Sequence, residues 1–444
     1  MQINLFNTLN NREEALKTIE PDHLKMYACG PTVYDRPHIG NARSAVIYDL
    51  FFRFFCEVFP KVTYVRNITD VDDKINKAAK EQQISIQELT TKITAYFHAD
   101  MDALKVLRPT YEPRATEHID EIIQMISKLI ENKNAYVNQG HVLFDVSSFE
   151  DYGKLANRQL EEMVAGARVE VAEYKNDPLD FVLWKPADEE DDKSSIFESP
   201  WGKGRPGWHI ECSAMSSKYL GADFDIHGGG ADLQFPHHEN EIAQSRCATK
   251  GSSYAKYWVH NGFLTVNGEK MSKSLKNFIT VRDLLDQGVE GVTIRYLLLS
   301  AHYRKPLDFN QKALEDARNS LEKFHNSCVG ANNGKVPAVI FEYLAQDLNV
   351  AKVIAELHQM TKKGQKEELL ATLDFLGLFD PNFLKNQNKK IEISESFIEE
   401  QIALRLKAKQ EKNYAEADQI RKSLLEKGVV LEDVAGGKTI WKAA

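Results

Sequence analysis

The stretch LKMYACGPTVYDRPHIGNARSAVIYDLFFRFF, residues 24–55, decides the fold of this chain. It opens with a short, partly apolar segment, Leu24 to Cys29, which predicts a β-strand that is broken at Gly30-Pro31. A helical pattern then runs from about His38 to Phe55, and a second strand candidate, Lys61 to Asn67, follows it. This order and spacing predict a βαβ unit, and so the first half of a parallel, doubly wound α/β sheet.

The loop that leads from this strand into the helix has the features of an anion site. A helix N-terminus points free N–H groups and the positive end of the helix dipole at whatever approaches it. Gly40 allows a ligand or another backbone to come close, and a phosphate is the expected ligand. Taken alone, however, HIGN at His38 to Asn41 is better explained by a histidine that caps the helix or lies in the core.

The α/β pattern continues downstream. Helical periodicity recurs over Ile75 to Leu107, Thr116 to Lys133 and Pro236 to Thr249, an ordered stretch spans Gly207 to Tyr219, and strands are predicted at His141 to Val146 and Phe224 to His227. An acidic stretch, Asp188 to Pro200, predicts an exposed loop. The later strands and helices suit the second half of a split nucleotide-binding domain.

The C-terminal part of the chain is predicted to be helical. From about Gly291 through Leu378 the amphipathic runs lie around Lys312 to Cys328 and Val350 to Leu376. A polar break, Lys385 to Lys390, precedes a last module with helices near Ser394 to Lys412 and Ala415 to Lys427 and a strand-like tail that ends in Trp441. We expect a helical bundle followed by a small terminal module.

Composition limits the class of protein. The 444 residues are 43% hydrophobic, which suits a globular protein of several domains. Five cysteines, an odd number scattered over the chain, argue against a disulfide framework and favour reduced thiols or metal ligands in the cytosol. The polar start, Met1 to Glu14, and the lack of an apolar run of roughly 20 residues argue against export and membrane insertion. A formal net charge of -9 argues against bulk capture of nucleic acid but leaves room for a local basic surface.

Two further motifs suit a nucleotide. Asn267-Gly268 predicts a tight hairpin turn just before KMSKS at Lys270 to Ser274, so the two lysines should lie on a mobile loop that can close over a polyphosphate. Upstream, the glycines Gly228 to Gly230 allow a base or sugar to lie against the backbone, and Asp232 could accept hydrogen bonds from ribose hydroxyls. Taken alone, lysines near a turn usually mark a solvated surface, and such glycines mark a flexible turn.

A third cluster has the side chains that zinc prefers. His237 and Glu241 lie four residues apart on a predicted helix and share one face, Cys212 lies on a separate helix-like stretch, and Cys29 lies at a strand end. Without a Cys-x-x-Cys pair, however, spacing alone favours unrelated buried thiols and a salt bridge on a helix surface. The remaining cysteines have no ligand-like neighbours in the sequence and are interpreted as small apolar fillers: Cys56, Cys247 and Cys328.

Together these clusters resemble the two signature elements of class I aminoacyl-tRNA synthetases, HIGH at His38 to Asn41 and KMSKS at Lys270 to Ser274. Within that class the chain resembles the cysteinyl-tRNA synthetases through four motifs: YACG at Tyr27 to Gly30, YVRNITD at Tyr64 to Asp70, GWHIECS at Gly207 to Ser213 and FPHHENE at Phe235 to Glu241. The likeness runs from Ile3 to about Lys442 and is strongest through Asn277. Asn41 replaces the last His of HIGH; because Asn can still donate a hydrogen bond to a phosphate or ribose oxygen, we expect altered contact geometry rather than loss of activity.

The resemblance implies a division of the chain and a set of site residues. The implied parts are a Rossmann-type catalytic domain in two halves, 1–115 and 201–290, an inserted connective region at 116–200, a helical bundle at 291–385 and a small anticodon-binding domain at 386–444. The implied zinc ligands are Cys29, Cys212, His237 and Glu241, and the implied cysteine pocket is lined by Tyr27, Thr69, Trp208 and His227. ATP would be bound by Gly40, Asn41, Gly229, Asp232, Lys270 and Lys273, and catalysis would involve His38, Lys270 and Lys273.

The implied reaction has two steps. Cysteine and ATP form cysteinyl-adenylate and pyrophosphate, and the acyl group is then transferred to the terminal ribose of tRNA(Cys). The cysteine carboxylate is already anionic, so no side-chain base is needed and catalysis rests on positioning and charge stabilisation. Zinc would bind the substrate thiolate and select it against serine, and Mg²⁺ would accompany ATP. We expect a cytoplasmic monomer.

Two alternatives stay open at this stage. One is a ligase that joins cysteine to an amino sugar, against which the helical bundle and terminal module argue, because a small acceptor does not require them. The other is a non-catalytic binding module, against which the intact KMSKS loop argues. Candidates for anticodon contact are Lys407, Lys409, Lys412, Arg421, Lys422 and Trp441, although a solvated helix pair explains any one of these lysines equally well.

Overall fold

The computed structural model of the protein describes residues 1–157, 172–188, 191–271, 277–384, 395–411, 413–427, 429–434 and 438–443. The chain forms two compact units, Met1–Phe379 and Asp380–Ala444. The strands of the first unit are β1 Asn4–Asn7, β2 Arg12–Ala15, β3 His23–Ala28, β4 Lys61–Arg66, β5 Ala135–Asn138, β6 His141–Phe144, β7 Phe181–Pro186, β8 Gly204–Pro206, β9 Phe224–Gly230, β10 Ala255–Asn261, β11 Leu264–Val266, β12 Glu269–Lys270 and β13 Leu307–Phe309. Its α-helices are α1 Ile39–Val58, α2 Asp73–Gln82, α3 Ile86–Ala103, α4 Ile119–Glu131, α5 Trp208–Leu220, α6 Glu239–Ala248, α7 Val281–Asp286, α8 Gly291–Leu299, α9 Gln311–Ser327, α10 Ala338–Leu344, α11 Val350–Lys363 and α12 Lys366–Phe375.

A four-stranded parallel sheet in the order β10-β9-β3-β4 runs through the first unit. β3 and β4 are neighbours and α1 connects them, which confirms the predicted βαβ unit. β9 and β10 extend the sheet on the other side of β3, so the two predicted halves of the α/β domain share one sheet. Because all four strands are parallel, their carboxyl ends meet at one edge, where Cys29 follows β3 and the three glycines end β9.

The helix α1 carries a buried carboxylate that joins it to the helical part of this unit. Asp49 accepts hydrogen bonds from Arg53 Nε at 2.9 Å and from the N–H of Leu107 at 2.7 Å, and it forms an ion pair with Arg295 of α8. Asp49 and Arg295 are both fully buried, and Arg295 also donates to the carbonyls of Leu104 and Leu376. The pair is therefore held by hydrogen bonds on both sides.

Asp49→Ala should lower the free energy of unfolding by about 3–5 kcal/mol, because it leaves the Arg295 guanidinium buried without its counter-charge. Asp316→Ala is a suitable control, since that carboxylate lies on the exposed face of α9, and it should change the free energy by less than about 0.5 kcal/mol. Urea denaturation followed by circular dichroism measures both. Equal midpoints for Asp49→Ala and wild type would show that the pair contributes nothing to stability.

Two predicted helical runs are each broken in the structure. The run Ile75 to Leu107 forms α2 and α3, because Gln83 takes a left-handed φ of 56° that ends α2 and Ser85 caps α3. The run Val350 to Leu376 forms α11 and α12, and Gly364, with φ of 69°, separates them. Amphipathic spacing continues across both breaks, so periodicity alone does not reveal them.

The segment between the two halves of the parallel sheet contains an antiparallel sheet in the order β5-β6-β7-β8. The strand predicted at His141 to Val146 is β6. The prediction of an exposed loop at Asp188 to Pro200 is wrong for part of the described stretch, since Asp191 pairs with Arg205 of β8 and Ser195 is buried. The charge of Arg205 holds this acidic stretch against the sheet.

The second unit is small. It contains α13, Glu395–Gln410, α14, Tyr414–Glu426, and an antiparallel hairpin of β14, Val429–Val434, and β15, Lys438–Ala443. The predicted helix pair and strand-like tail are thus confirmed, whereas Lys412 and the predicted break at Lys385 to Lys390 lie outside the described residues. Among the described helices of the chain, none is long and apolar enough to span a bilayer.

Candidate functional site

Four side chains of the zinc type come together in the structure: Cys29, Cys212, His237 and Glu241, whose ligand atoms all lie within 4.8 Å of one another. Cys29 Sγ lies 3.8 Å from Cys212 Sγ, 3.5 Å from His237 Nε2 and 3.6 Å from Glu241 Oε1, and His237 Nε2 lies 3.1 Å from Glu241 Oε1. Tetrahedral zinc with its usual bond lengths holds two sulfurs ~3.8 Å apart, and a sulfur and a nitrogen ~3.5 Å apart. The donor set and its spacing therefore fit one zinc ion.

Separate elements supply these side chains. Cys29 follows β3 at the carboxyl edge of the sheet, Cys212 lies in α5, and Glu241 lies in the first turn of α6. His237 lies in a wide turn, Gln234–His238, whose one non-helical residue, Phe235, precedes it, and the turn runs directly into α6. His237 Nε2 and Glu241 Oε1 therefore meet across one helical turn, as the predicted four-residue spacing requires. Wide turns of this kind are frequent at functional sites.

The charges of the buried cluster depend on one another. A hydrogen bond from Cys29, with His237 alongside, lowers the pKa of Cys212 to about 6, whereas burial and the neighbouring Cys212 raise the pKa of Cys29 well above its ordinary value. Although burial alone would lower it, the Glu241 carboxylate and Cys212 raise the pKa of His237 to about 10. Although burial alone would raise it, His227 and His237 hold the pKa of Glu241 well below its ordinary value. Without a metal at neutral pH, the cluster therefore contains a thiolate at Cys212, a thiol at Cys29 and an imidazolium at His237.

A second set of ligand-type side chains overlaps the first, with ligand atoms also within 4.8 Å of one another: Cys29, His227, His238 and Glu241. His238 Nε2 faces the cluster, 3.4 Å from Cys29 Sγ, while its Nδ1 lies 2.7 Å from His260 Nε2. His227 Nε2, in contrast, is engaged by Glu241 Oε2 at 2.9 Å. Glu241 Oε2 also accepts a 2.8 Å hydrogen bond from the Tyr254 hydroxyl. Glu241 therefore presents Oε1 to Cys29 and His237 while Oε2 is held on its other side.

Three of the four residues predicted to line the cysteine pocket lie around this cluster. The ring of Trp208 stacks on that of His237, with centroids 4.2 Å apart, and Trp208 remains 39% exposed. Tyr27 is fully buried, and its ring lies 5.1 Å from that of His227. The partly exposed Trp208 ring thus covers the cluster, and the buried rings of Tyr27 and His227 lie beside it.

The fourth predicted pocket residue, Thr69, is connected to the cluster through Asn67. The Asn67 amide donates to Thr69 Oγ1 at 3.1 Å, and its carbonyl oxygen accepts from the N–H of Gly30 at 2.9 Å and lies 3.8 Å from Cys212 Sγ. Asn67 therefore links the end of β4, the loop after β3 and the helix α5 in one short network.

His38 caps α1, so the capping interpretation of HIGN is confirmed. Its Nδ1 accepts hydrogen bonds from the N–H groups of Gly40 at 3.1 Å and Asn41 at 3.2 Å, and Asn41 Oδ1 accepts from the N–H of His38 at 3.3 Å. Burial lowers the pKa of His38, so the ring is neutral and its proton lies on Nε2. A side chain at position 40 would place its Cβ 2.9 Å from the His38 ring, which explains the glycine. Capping thus leaves Nε2–H as a donor for an oxyanion.

The predicted hairpin before KMSKS is also confirmed. Asn267 and Gly268 have φ of 51° and 80°, as a two-residue turn between β11 and β12 requires. Lys270 ends β12 and is exposed, and its carbonyl accepts a hydrogen bond from the Asn277 amide at 3.2 Å. Lys273 lies outside the described residues.

The segment after KMSKS lies against the start of α1, and the turn that follows the glycines of β9 lies near it. The N–H of Ile39 donates to the carbonyl of Ile279 at 3.0 Å, and the His38 ring packs edge-on against Phe278. Asp232, in a short turn after β9, is near enough to His38 to oppose the effect of burial on its pKa. A Cβ at Gly229 would lie 2.7 Å from His238 Cε1, so the glycine run also borders the histidines of the second ligand set.

The geometry agrees with similarities in sequence. Residues 15–319 match the sequence model of the tRNA synthetases class I (C) catalytic domain. The cysteine–tRNA ligases of Rickettsia bellii and Rickettsia prowazekii are 51% and 50% identical to the chain, and both alignments cover 100% of each protein. The chain belongs to the cysteine–tRNA ligase family. A Wolbachia pipientis relative is 48% identical to the enzyme over 99% of the enzyme and 100% of the relative. The enzyme is thus a class I aminoacyl-tRNA synthetase.

Solved structures support the fold of the enzyme. Mycobacterium tuberculosis methionyl-tRNA synthetase in complex with methionyl-adenylate superimposes with a TM-score of 0.54 and 14% identity over 84% of the enzyme and 94% of that chain. A LeuRS–tRNA–LeuAMS ternary complex from Agrobacterium radiobacter gives a TM-score of 0.56 and 11% identity over 84% and 86% of the two chains. At these identities the likeness concerns the fold alone, and it confirms the predicted Rossmann-type sheet.

Sequence reasoning missed the side chains that surround the ligand cluster. They are buried polar or aromatic residues within or beside the parallel sheet: Asn67, His238, Tyr254, Trp258 and His260. The doubled histidine beside His237 is a visible signal for His238, and Asn67 lies inside a motif already singled out. Nothing in the sequence pattern distinguishes Tyr254 from a core tyrosine.

Proposed function

We propose that the enzyme selects cysteine through one zinc ion held by Cys29, Cys212, His237 and Glu241. The single observation that supports this most strongly is the convergence of two sulfurs, one nitrogen and one oxygen within 4.8 Å at the carboxyl edge of the sheet. When bound, zinc supplies a coordination position that takes a thiolate far better than a hydroxyl, and it lowers the pKa of a thiol.

The shape of the pocket alone cannot select cysteine over serine. Cysteine and serine differ in one atom of similar size, and an apolar pocket separates such near-isosteres by only about 100-fold. A cluster rich in sulfur beside the predicted pocket provides the missing discrimination. In this proposal Trp208 covers the bound amino acid, Tyr27 and His227 form the buried walls, and Thr69 provides a hydroxyl for the polar end of the substrate.

The nucleotide is proposed to bind between the start of α1 and the glycines at the end of β9. His38 Nε2–H donates to a phosphate oxygen, while the backbone at Gly40, Asn41 and Gly229 and the Asp232 carboxylate hold phosphate and ribose, with Mg²⁺ accompanying ATP. The cysteine carboxylate attacks the α-phosphate, and pyrophosphate leaves. Lys270 and Lys273 neutralise the charge that develops there.

Chelation tests the proposal directly. Zinc-loaded enzyme should catalyse cysteine-dependent exchange of pyrophosphate into ATP, chelator-stripped enzyme should lose it, and added zinc should restore it. Serine at the same concentration is the matched control and should support little exchange in any state. Full exchange by stripped enzyme would overturn the zinc proposal while leaving the ligase activity untouched.

Transfer to tRNA(Cys) is favoured over transfer to an amino sugar, because the similarity to cysteine–tRNA ligases extends over the whole chain. A charging assay with tRNA(Cys) and an amino sugar as competing acceptors separates the two. Three further points stay predictions: a helical bundle at 291–385, a cytoplasmic, monomeric enzyme, and an anticodon role for 386–444. The residues predicted to contact the anticodon are Lys407, Lys409, Lys412, Arg421, Lys422 and Trp441.

Zinc binding at pH 7 should release about two protons per enzyme. The pKa of Cys29 lies well above its ordinary value and that of His237 is about 10, so both are protonated in the metal-free cluster, and both must lose that proton to become ligands. Apparent zinc affinity should therefore rise with pH above 7. Calorimetric titrations in two buffers of different ionisation enthalpy measure the number; a buffer-independent heat would contradict these protonation states.

A further inference from the structure

Tyr254 lies against the Glu241 carboxylate on the side away from the four-ligand cluster, and none of the steps above uses it. It is fully buried and immediately precedes β10. Its φ is 67°, in the left-handed region that a bulky side chain rarely adopts. Such conformations persist where the surrounding structure imposes them, and they cluster at functional sites.

Hydrogen bonds to the segment before β9 impose this conformation. Asp223 Oδ1 accepts from the N–H of Ser253 at 2.7 Å, and the hydroxyl of Ser252 donates to the carbonyl of Ala222 at 2.9 Å. The N–H of Tyr254 then donates to Ser252 Oγ at 3.0 Å. The turn is thus fixed to the neighbouring strand of the sheet, and the direction in which Tyr254 leaves the backbone is fixed with it.

The hydroxyl of Tyr254 has two buried partners. It donates to Glu241 Oε2 at 2.8 Å and lies 2.8 Å from Ser216 Oγ. Because Tyr254 has one hydroxyl proton and gives it to Glu241, Ser216 is the donor in the second bond. The ring packs against Phe224, with centroids 5.1 Å apart, and against His227 at 5.7 Å, so the hydroxyl cannot swing away.

The position of Oε2 matters because Glu241 belongs to both overlapping ligand sets. With Oε2 bonded to Tyr254 and to His227, only Oε1 faces Cys29 and His237, and the His227 Nε2–H is committed to the carboxylate. Loss of the bond from Tyr254 would free the carboxylate to rotate and His227 to act as a ligand. The second set would then compete for the ion.

We propose that Tyr254 is a positioning residue that fixes the rotation of Glu241 and thereby assigns the metal to Cys29, Cys212, His237 and Glu241 rather than to Cys29, His227, His238 and Glu241. This inference rests on the proposed zinc site. It predicts that the loss of one oxygen atom from Tyr254 changes which side chains bind the metal, even though the ring still fills its place in the core.

Tyr254→Phe tests it with two measurements on the full chain. Zinc affinity, from competition with a chromophoric chelator, should fall by about 10-fold, at the lower end of the effect of groups that orient metal ligands. In the cobalt-substituted protein, the sulfur-to-cobalt charge-transfer absorption should fall to about half as the ion moves from a set with two thiolates to one with a single thiolate.

Two further variants serve as a control and as a second test. Tyr303→Phe is the matched control, since its buried hydroxyl also donates to a carboxylate, Asp347 Oδ1 at 2.6 Å, in another part of the first unit; its zinc affinity and cobalt spectrum should equal those of wild type. Ser216→Ala removes the contact with Tyr254 Oη together with the 3.2 Å hydrogen bond from Ser216 to the carbonyl of Ser213, and it should weaken zinc binding by less than Tyr254→Phe does. If Tyr254→Phe does not fold, Ser216→Ala carries the test.

The outcomes separate this inference from the proposed zinc site. If wild type fails to bind zinc stoichiometrically, the zinc site itself is wrong. If wild type binds zinc but Tyr254→Phe retains the same affinity and the same cobalt spectrum, the site stands and the role of Tyr254 is overturned. Weaker binding with an altered spectrum, and no change in Tyr303→Phe, supports the role.

Discussion

Cys212→Ser should weaken zinc binding by roughly 10²–10³-fold and lower cysteine activation with it. Four-ligand zinc sites bind with about 10–16 kcal/mol, so the loss of one of four ligands costs about 2.5–4 kcal/mol. Cys212 also carries the thiolate of the metal-free cluster, since the hydrogen bond from Cys29 lowers its pKa to about 6. Serine cannot replace that charge at neutral pH.

Zinc content after dialysis and the KM for cysteine in pyrophosphate exchange measure this result together. Cys328→Ser is the matched control, because Cys328 is buried in the helical part of the first unit and belongs to neither ligand set; both quantities should equal those of wild type. A Cys212→Ser enzyme that contains no zinc yet activates cysteine at the wild-type rate would contradict the proposal.

Lys270→Ala should lower the kcat of pyrophosphate exchange by roughly 10²–10³-fold, the usual effect of removing one group that stabilises transition-state charge. The side chain is exposed at the end of β12, so its loss should not disturb folding. It also lies outside both ligand sets, so zinc content and the KM for cysteine should stay as in wild type. A lower kcat at unchanged zinc content would separate charge stabilisation by Lys270 from substrate selection by zinc.

Lys312→Ala controls for the loss of one surface lysine, since Lys312 is exposed on α9 and should leave exchange unchanged. Steady-state exchange at saturating cysteine and varied ATP gives kcat and the KM for ATP. An unchanged kcat in Lys270→Ala would remove this lysine from the catalytic step and leave the charge of the leaving group to other residues.

The fold was largely accessible from sequence because its signals are local. Residues 24–55 contain a strand, a breaker and a capped helix in order, and Asn267-Gly268 specifies its turn through the left-handed backbone that both residues adopt. The breaks at Gln83 and Gly364 were missed because amphipathic periodicity does not change across them.

The metal cluster was not accessible from spacing. Cys29 and Cys212 are 183 residues apart, and only the parallel pairing of β3 with β9 brings the strand end, α5 and the wide turn together. On spacing alone, unrelated thiols were the better interpretation, and the resemblance to cysteinyl-tRNA synthetases was what indicated the set. The role inferred for Tyr254 depends on a backbone angle and two hydrogen bonds, which no sequence pattern specifies.

His38 shows how a structural and a functional interpretation can both hold for one residue. Its Nδ1 caps α1, which fixes the tautomer, and the same bonds leave Nε2 as the donor that the proposed phosphate contact needs. Asn41 completes the reciprocal cap through its own side chain. The change from the last His of HIGH to Asn is therefore compatible with an ordered start of α1.

X-ray absorption at the zinc edge tests most directly whether the substrate thiol joins the metal. The zinc-loaded enzyme should show two sulfur ligands alone, from Cys29 and Cys212, and three when cysteine is added, with serine leaving the number at two. An unchanged sulfur count in the presence of saturating cysteine would contradict thiolate coordination and, with it, the proposed basis of selection.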